Sequence, residues 1–220
     1  MLAGTGVGLL AGGRLPEAVR QRVLAGLGLV TFVVGVDLAL AWRDTDPLYV
    51  LGGVLLGGVV GEAVGIERWL GRAGDRIQAR LSRGGPSRVS EAFVTASLLF
   101  CVGPLTVVGS IADGLRGDIE ALVTKSVLDG FASVALAATL GWGVALAAGS
   151  VLIVQGTITL AAGLFEDILQ GEALDALTSA GGVLIIGISL KLLALKDVKV
   201  GNFLPALVFA PALVGVASLF

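Results

Sequence analysis

The stretch TKSVLDGFASVALAATLGWGV, residues 124–144, decides how the rest of the chain is read. It is apolar enough to lie in a bilayer, yet it carries Lys125 and Asp129. Four residues apart on a helix, the two share a face and can pair. A charged group at membrane depth costs a few kcal/mol or more, so it normally faces a protein interior or a water-filled cavity. One reading follows from that cost: Asp129 takes a cation or proton, while Lys125 competes for it or takes an anion. A buried lysine can also take part in proton exchange. The plainer reading is a fixed ion pair between packed spans. Ser126 and Ser133 add hydroxyls on a neighbouring stripe.

Composition agrees with a membrane chain. Only 15% of the 220 residues are charged, against about 25% in soluble domains. Mean hydropathy is +0.96. The 34 glycines let helices approach closely in lipid, where packing drives their association. One cysteine, Cys101, and no histidine exclude an intrachain disulfide, a cysteine-built metal cluster and histidine catalysis. The opening MLAGTGVGLLAGG lacks a basic leader, since Arg14 follows the apolar run; it reads as a first span, not a signal peptide.

A span needs roughly 20 apolar residues, and shorter ones are tolerated. Eight are expected, at about 2–13, 22–42, 48–65, 91–111, 121–138, 143–164, 177–194 and 200–219. The split at Gly141-Trp142-Gly143 is the weakest boundary, and seven spans are the competing count. Charge chooses between them, because cytoplasmic loops collect Lys and Arg. With both termini outside, the inner loops hold Arg14, Arg20 and Arg22, then Arg68, Arg72, Arg76, Arg80, Arg83 and Arg88, then Lys191, Lys196 and Lys199. The outer loops hold Asp44, Asp46, Asp113, Asp118, Glu120, Glu166, Asp167, Glu172 and Asp175, with Arg43 and Arg116 as their basic residues. Seven spans would put the acidic 166–175 loop and the basic 191–199 loop on the wrong sides. Charge therefore favours eight spans with both termini outside.

The longest inner loop, IERWLGRAGDRIQARL, sets Ile66, Trp69, Leu70, Ala73, Ile77 and Leu81 on one helical face and arginines on the other. It reads as an amphipathic helix at the cytoplasmic surface. RGGPSR, 83–88, then links it to the fourth span.

GTGVGLLAGG from Gly4 aligns with GTITLAAGLF from Gly156, and LVTFVVGVDLAL from Leu29 with GGVLIIGISLKL from Gly181, both at an offset of 152 residues. The alignment pairs Gly35 with Gly187 and Leu38 with Leu190. The expected organisation is one membrane domain over 1–220. A first repeat of three spans covers 1–65, a cytoplasmic helix and linker 66–88, two central spans 89–142, and a second repeat 143–220. Opposite starting sides would make the copies antiparallel, an arrangement that places transporter sites near the midplane.

The fourth span, EAFVTASLLFCVGPLTVVGSIADG, holds the expected helix breaks at Gly103-Pro104 and Gly109-Ser110. Proline lacks an N–H and clashes with the preceding turn. Freed carbonyls at membrane depth must be paired or line a cavity. Ser97, Cys101, Thr106 and Ser110 lie nearby, and Gln155 and Thr157 in the sixth span could line the same path. The fourth-span hydroxyls could equally bond carbonyls of their own helix, and Gln155 and Thr157 could equally join neighbouring helices. Asp37 reads as a lone acid reaching the outer interface, and Asn202 and Pro205 as path or as packing.

Several chemistries lack their motifs. There is no GxxxxGK[ST] phosphate loop, no GxSxG or HExxH, and no TVGYG filter. The arginines fit topology rather than nucleic acid.

ASLLFCVGPLTVVGSIADGLRGD (96–118) and KSVLDG (125–130) resemble the YqgA/YdfK-type family of integral membrane proteins, whose function is unknown. The resemblance continues through LGGVLLGGVVGE (51–62), QGTITL (155–160), GGVLIIGISLKLL (181–193) and KVGNFLPAL (199–207). Pro104 stands where a small residue is expected in that family. The resemblance implies a polytopic protein in the cytoplasmic membrane of a prokaryote, and it carries over no substrate or catalytic residue.

The expectation is an all-α bundle that carries an ion or small solute past Lys125, Asp129 and the broken fourth span. No enzymatic activity, cofactor or metal is expected. The partners are the bilayer and the solute, with a homo-oligomer, simplest as a dimer, held by glycine-rich faces. The alternatives are a non-transporting scaffold or assembly protein and, behind it, a lipid-modifying enzyme.

Overall fold

A computed structural model describes residues 1–12, 16–81, 89–165 and 169–217. Arg14, the RGGPSR link with Arg83 and Arg88, and Glu166 and Asp167 lie outside the described residues. Within them the chain forms eleven α-helices and no strand: α1 Leu2–Gly12, α2 Glu17–Ala39, α3 Pro47–Val64, α4 Ile66–Leu81, α5 Val89–Val102, α6 Pro104–Arg116, α7 Glu120–Leu140, α8 Gly143–Leu160, α9 Ala162–Phe165, α10 Glu172–Leu192 and α11 Ala206–Ala217.

Local chemistry sets these boundaries. Asp46 starts α3 by accepting the Leu48 N–H at 2.9 Å, with Pro47 at the first helical position. Both features suit a helix start, where four N–H groups have no helical partner. Gly141, at φ 92°, separates α7 from α8 in a conformation that a Cβ would strain. The division expected at 141–143 is thus a true turn between two helices.

Six stretches are long and apolar enough to cross a bilayer: Ala18–Asp44, Pro47–Val64, Glu120–Leu140, Gly143–Leu160, Glu172–Leu192 and Val200–Ala217. The α5–α6 pair forms a seventh if its 59° bend lies within one span. The first expected span is shorter than a crossing. At 11 residues, α1 is about 17 Å long, against about 30 Å of hydrocarbon.

Small residues dictate which helices meet and in which direction. A Cβ at Gly4, Gly8 or Gly12 would collide with the α7 backbone at Gly130, Val134 and Ala138, so α1 lies parallel to the second half of α7. Gly53, Gly57 and Gly61 bring α3 against Ala210, Ala206 and Asn202 in turn, an antiparallel contact. Spacing of four is what lets helices touch backbone to backbone in lipid. The glycine stripe of 51–61 is therefore occupied within the chain. On the α2–α10 contact, Gly28 meets Leu193 and Gly35 meets Ile186, so that pair is antiparallel too. The Ser179 hydroxyl donates to the Ala39 carbonyl at 2.9 Å and fixes its far end. Finally, α8 runs parallel to α5 and then α6, through Gly143 on Val89, Ser97 on Ser150 and Gly114 on Thr159.

Helices α5 and α10 are the most enclosed, and Phe100, Val102, Leu136, Leu184 and Ile188 fill the centre. Large apolar side chains cover the outside, among them Phe131 on α7, Leu152 on α8 and Val59 on α3. Such an outer surface is stable only in contact with lipid or another apolar partner.

Polar contacts concentrate at the two ends. At one end the Thr45 hydroxyl and the Asp46 N–H both donate to Glu172 Oε1, at 3.3 and 3.1 Å. At the other, Arg20 donates to the Ala138 and Thr139 carbonyls, at 3.2 and 2.8 Å, and closes the C-terminus of α7. There the start of α4 is also tied down. Asn202 Oδ1 accepts the Glu67 N–H at 2.8 Å, its Nδ2 donates to Glu62 at 2.5 Å, and the Gly201 N–H donates to Glu67 at 2.6 Å. Asn202 is thus a fastener. On α4, Ile66 and Leu70 are half-buried, while Trp69, Arg68, Arg72 and Arg76 are exposed.

Candidate functional site

Helix α7 carries the charged pair at its middle. Lys125 is buried, with 6% of its surface exposed. Its ammonium donates directly to Asp129 Oδ2. The i, i+4 spacing that placed them on one face in the sequence sets this contact. The Ser133 hydroxyl donates back to the Asp129 carbonyl at 2.6 Å, so it serves its own helix.

The pair is not sealed between helices. Both residues line a cavity of about 300 Å³ whose walls come from α2, α7, α10 and the junction of α5 with α6. Leu27 and Val34 of α2, Phe100 and Ile185 supply apolar surface, and Gly103 lies at the junction. Among the described residues Thr31 is the one hydroxyl of the lining, and it is itself 5% exposed. Sequence reasoning passed over it, because a threonine in an apolar helix looks like any other β-branched residue. Only the packing of α2 beside α7 gives it a role.

The α5–α6 junction explains why there is space. Gly103 leaves the helix at φ −66°, ψ 148°, and Pro104 starts α6 afresh. The Thr106 hydroxyl spans the junction, donating to the Phe100 carbonyl at 3.0 Å, while its N–H bonds the Gly103 carbonyl at 2.9 Å. One freed carbonyl is thereby paired, as membrane depth demands. The second break expected at Gly109 is not one. Helix α6 runs through it, and Gly109 instead admits Leu122 of α7 to close contact.

The remaining candidates scatter. Ser97 donates to Ser150 on α8 at 2.9 Å. Ser110 is fully buried, and its hydroxyl has no partner among the described residues. Cys101 is half-buried beside Phe100. Ser126 faces outward from α7, Gln155 is half-buried on α8, and the exposed Thr157 donates to its own Ile153 carbonyl at 2.6 Å. None of these six lines the cavity with Lys125 and Asp129. Asp37 is exposed on the flank of α2. Among the described residues no three Asp, Glu, Cys or His side chains converge on a point that would hold a metal.

Comparison with known proteins adds relatives without an activity. A family model described as "Protein of unknown function (DUF554)" matches residues 1–215. The chain is 28% identical over 223 residues to "Uncharacterized membrane protein YdfK" of Bacillus subtilis (strain 168), covering 100% of this chain and 94% of that one. It is 31% identical over 214 residues to "Uncharacterized protein YqgA" of Escherichia coli (strain K12), covering 96% and 90%. No solved structure matches.

Proposed function

The chain belongs to the DUF554 family of membrane proteins of unknown function, so its activity must be argued from its own site, and we propose that it carries a small solute across the membrane without enzymatic chemistry. One observation carries the reading. Lys125 and Asp129, withdrawn from water in an apolar helix, line a cavity of about 300 Å³ beside a broken helix. A pair kept only for structure would be enclosed by side chains, since a buried ion pair adds little net stability. A cavity beside it gives the charges something to bind.

The helix directions support an inverted arrangement of two halves. Exchanging α1, α2 and α3 with α8, α10 and α11, and α7 with α5–α6, preserves the glycine-mediated contacts and their directions, although α10 also packs on α11 with no matching packing of α2 on α3 among the described residues. The parallel pair α1–α7 becomes α8 with α5–α6, and the antiparallel pairs α2–α10 and α3–α11 map onto themselves. The cavity lies beside α2 and α10, near the exchange axis, where transporters of this design hold their solutes. On this reading the acidic end carrying Asp46 and Glu172 faces outward, and the end carrying Arg20, α4 and Lys191 faces the cytoplasm.

The test is flux into proteoliposomes by wild-type protein and by Asp129→Asn and Lys125→Met variants. Loss of flux in both variants, with the chain still folded, is expected. Wild-type flux in both would remove the pair from the path. No flux of any solute, together with cellular activity that survives apolar replacement of both residues, would make the protein a scaffold instead.

A further inference from the structure

We infer that the cavity between α2, α7 and the α5–α6 junction takes an aliphatic monocarboxylate, with Lys125 holding the carboxylate and the apolar walls holding the chain. The inference rests on the cavity being the solute site.

The lining argues against an inorganic cation. Hard cations need about six or more oxygen ligands. Among the described residues, Asp129 and Thr31 are the side chains of this lining that offer oxygen. Leu27, Val34, Leu99, Phe100 and Ile185 suit a hydrocarbon body. The volume equals about ten waters, enough for a chain of a few carbons.

The polar groups favour an anion. An ammonium has three donors. Lys125 uses one on Asp129, and no other acceptor meets it among the described residues. The Thr31 hydroxyl can donate into the same space. Gly103 and Leu105 also line the cavity, so the start of α6, the positive end of a helix, faces it. On the opposing α5 end, the Phe100 carbonyl is already taken by Thr106. Among the side chains of the lining, Lys125 keeps two open donors and Thr31 adds its hydroxyl, against the single Asp129 carboxylate. Asp129 takes one donor of the ammonium, and an entering carboxylate takes up those that Asp129 leaves open.

The opening fits the same ligand. Val30, Val34, Leu105 and Leu128 line the cavity and are also exposed, so its mouth lies on the apolar flank of the bundle. A solute with a hydrocarbon chain can reach such a mouth from the bilayer, and a strongly hydrated ion cannot.

The experiment measures thermal shift and calorimetric binding on the full chain in nanodiscs. The probes are straight-chain carboxylates from butanoate to hexadecanoate, the matching alkylamines, and sodium chloride. Carboxylates are expected to stabilise the protein, with affinity rising about three- to fourfold per methylene. A plateau at medium length identifies a small free acid. A continued rise to hexadecanoate identifies a lipid-derived acid whose tail leaves through the mouth. Lys125→Met is expected to abolish the shift, Thr31→Val to weaken binding about fivefold, and Asp129→Asn to tighten it by removing the competitor. Should Lys125→Met not fold, Thr31→Val and the charge-keeping Lys125→Arg decide, the latter being expected to bind. Binding of amines but not carboxylates overturns the inference, as does wild-type binding by both Lys125→Met and Thr31→Val, or no shift in folded protein. Failure of the transport reading looks different: carboxylate binding without flux leaves this site standing. Inorganic-ion flux unaffected by Lys125→Met leaves transport standing and removes this site.

Discussion

At the residue scale, the Lys125–Asp129 pair is a liability that packing alone does not explain. Breaking one partner of a buried pair leaves a bare charge and costs about 3–5 kcal/mol, whereas replacing both by apolar groups is often neutral or stabilising. Lys125→Met alone should therefore lower the melting temperature, and Lys125→Met with Asp129→Leu should restore it while flux is lost. Scanning fluorimetry in detergent separates the two effects. A double variant as unstable as the single would mean that the lost stability does not come from an unpaired Asp129 carboxylate. Arg20 acts by the same electrostatics at the end of α7. Its guanidinium bonds two carbonyls that the helix leaves unpaired, at its negative end. Arg20→Met should cost about 1 kcal/mol, seen as faster hydrogen exchange over 137–141.

At the element scale, the break between α5 and α6 is bridged by the side chain of Thr106. Thr106→Val keeps the shape and removes the hydroxyl that bonds Phe100, so about 1 kcal/mol is expected to be lost. Exchange at residues 99–104 should rise while α7 stays protected. Equal protection in both proteins would show that backbone packing holds the junction without Thr106. Contact between α3 and α11 depends on the absence of side chains. Gly57→Leu would press against the Ala206 backbone and should destabilise the fold by about 1–3 kcal/mol or separate the two helices. Gly26, with open space around it, should accept alanine without that penalty. Comparing the melting temperatures of the two variants checks the argument, which fails if Gly57→Leu melts like wild type.

At the scale of the whole molecule, the two polar ends predict sidedness. In a chain with Cys101 replaced by alanine, single cysteines at 44 and 118 should react with an impermeant maleimide from outside intact cells. Cysteines at 72, 142 and 196 should react only after the membrane is opened. Reaction of 72 or 196 in intact cells would reverse the orientation. Labelling of 118 on the same side as 142 would show that α7 does not cross. The short α1 shows why the count of crossings is a matter of packing. It lies against the second half of α7, from Gly130 to Ala138, without the length to span.

The sequence by itself determined that this is an all-helical membrane protein. Hydropathy, scarce charge and glycines at helical spacing are local properties, and a bilayer leaves helices as their natural solution. It also determined that Lys125 and Asp129 would pair, because four residues on one helix fix that contact. Gly103-Pro104 was legible as a break for the same local reason. What surrounds the pair was decided by the tertiary structure alone. Thr31 and Phe100 reach the cavity because α2 and the end of α5 pack beside α7, and no pattern along the chain encodes that neighbourhood. Ser97, Ser110, Ser126, Gln155 and Thr157 looked equally suited to a polar path. Their directions depend on which face each helix turns to its neighbours, and that is set by glycine contacts between segments far apart in sequence.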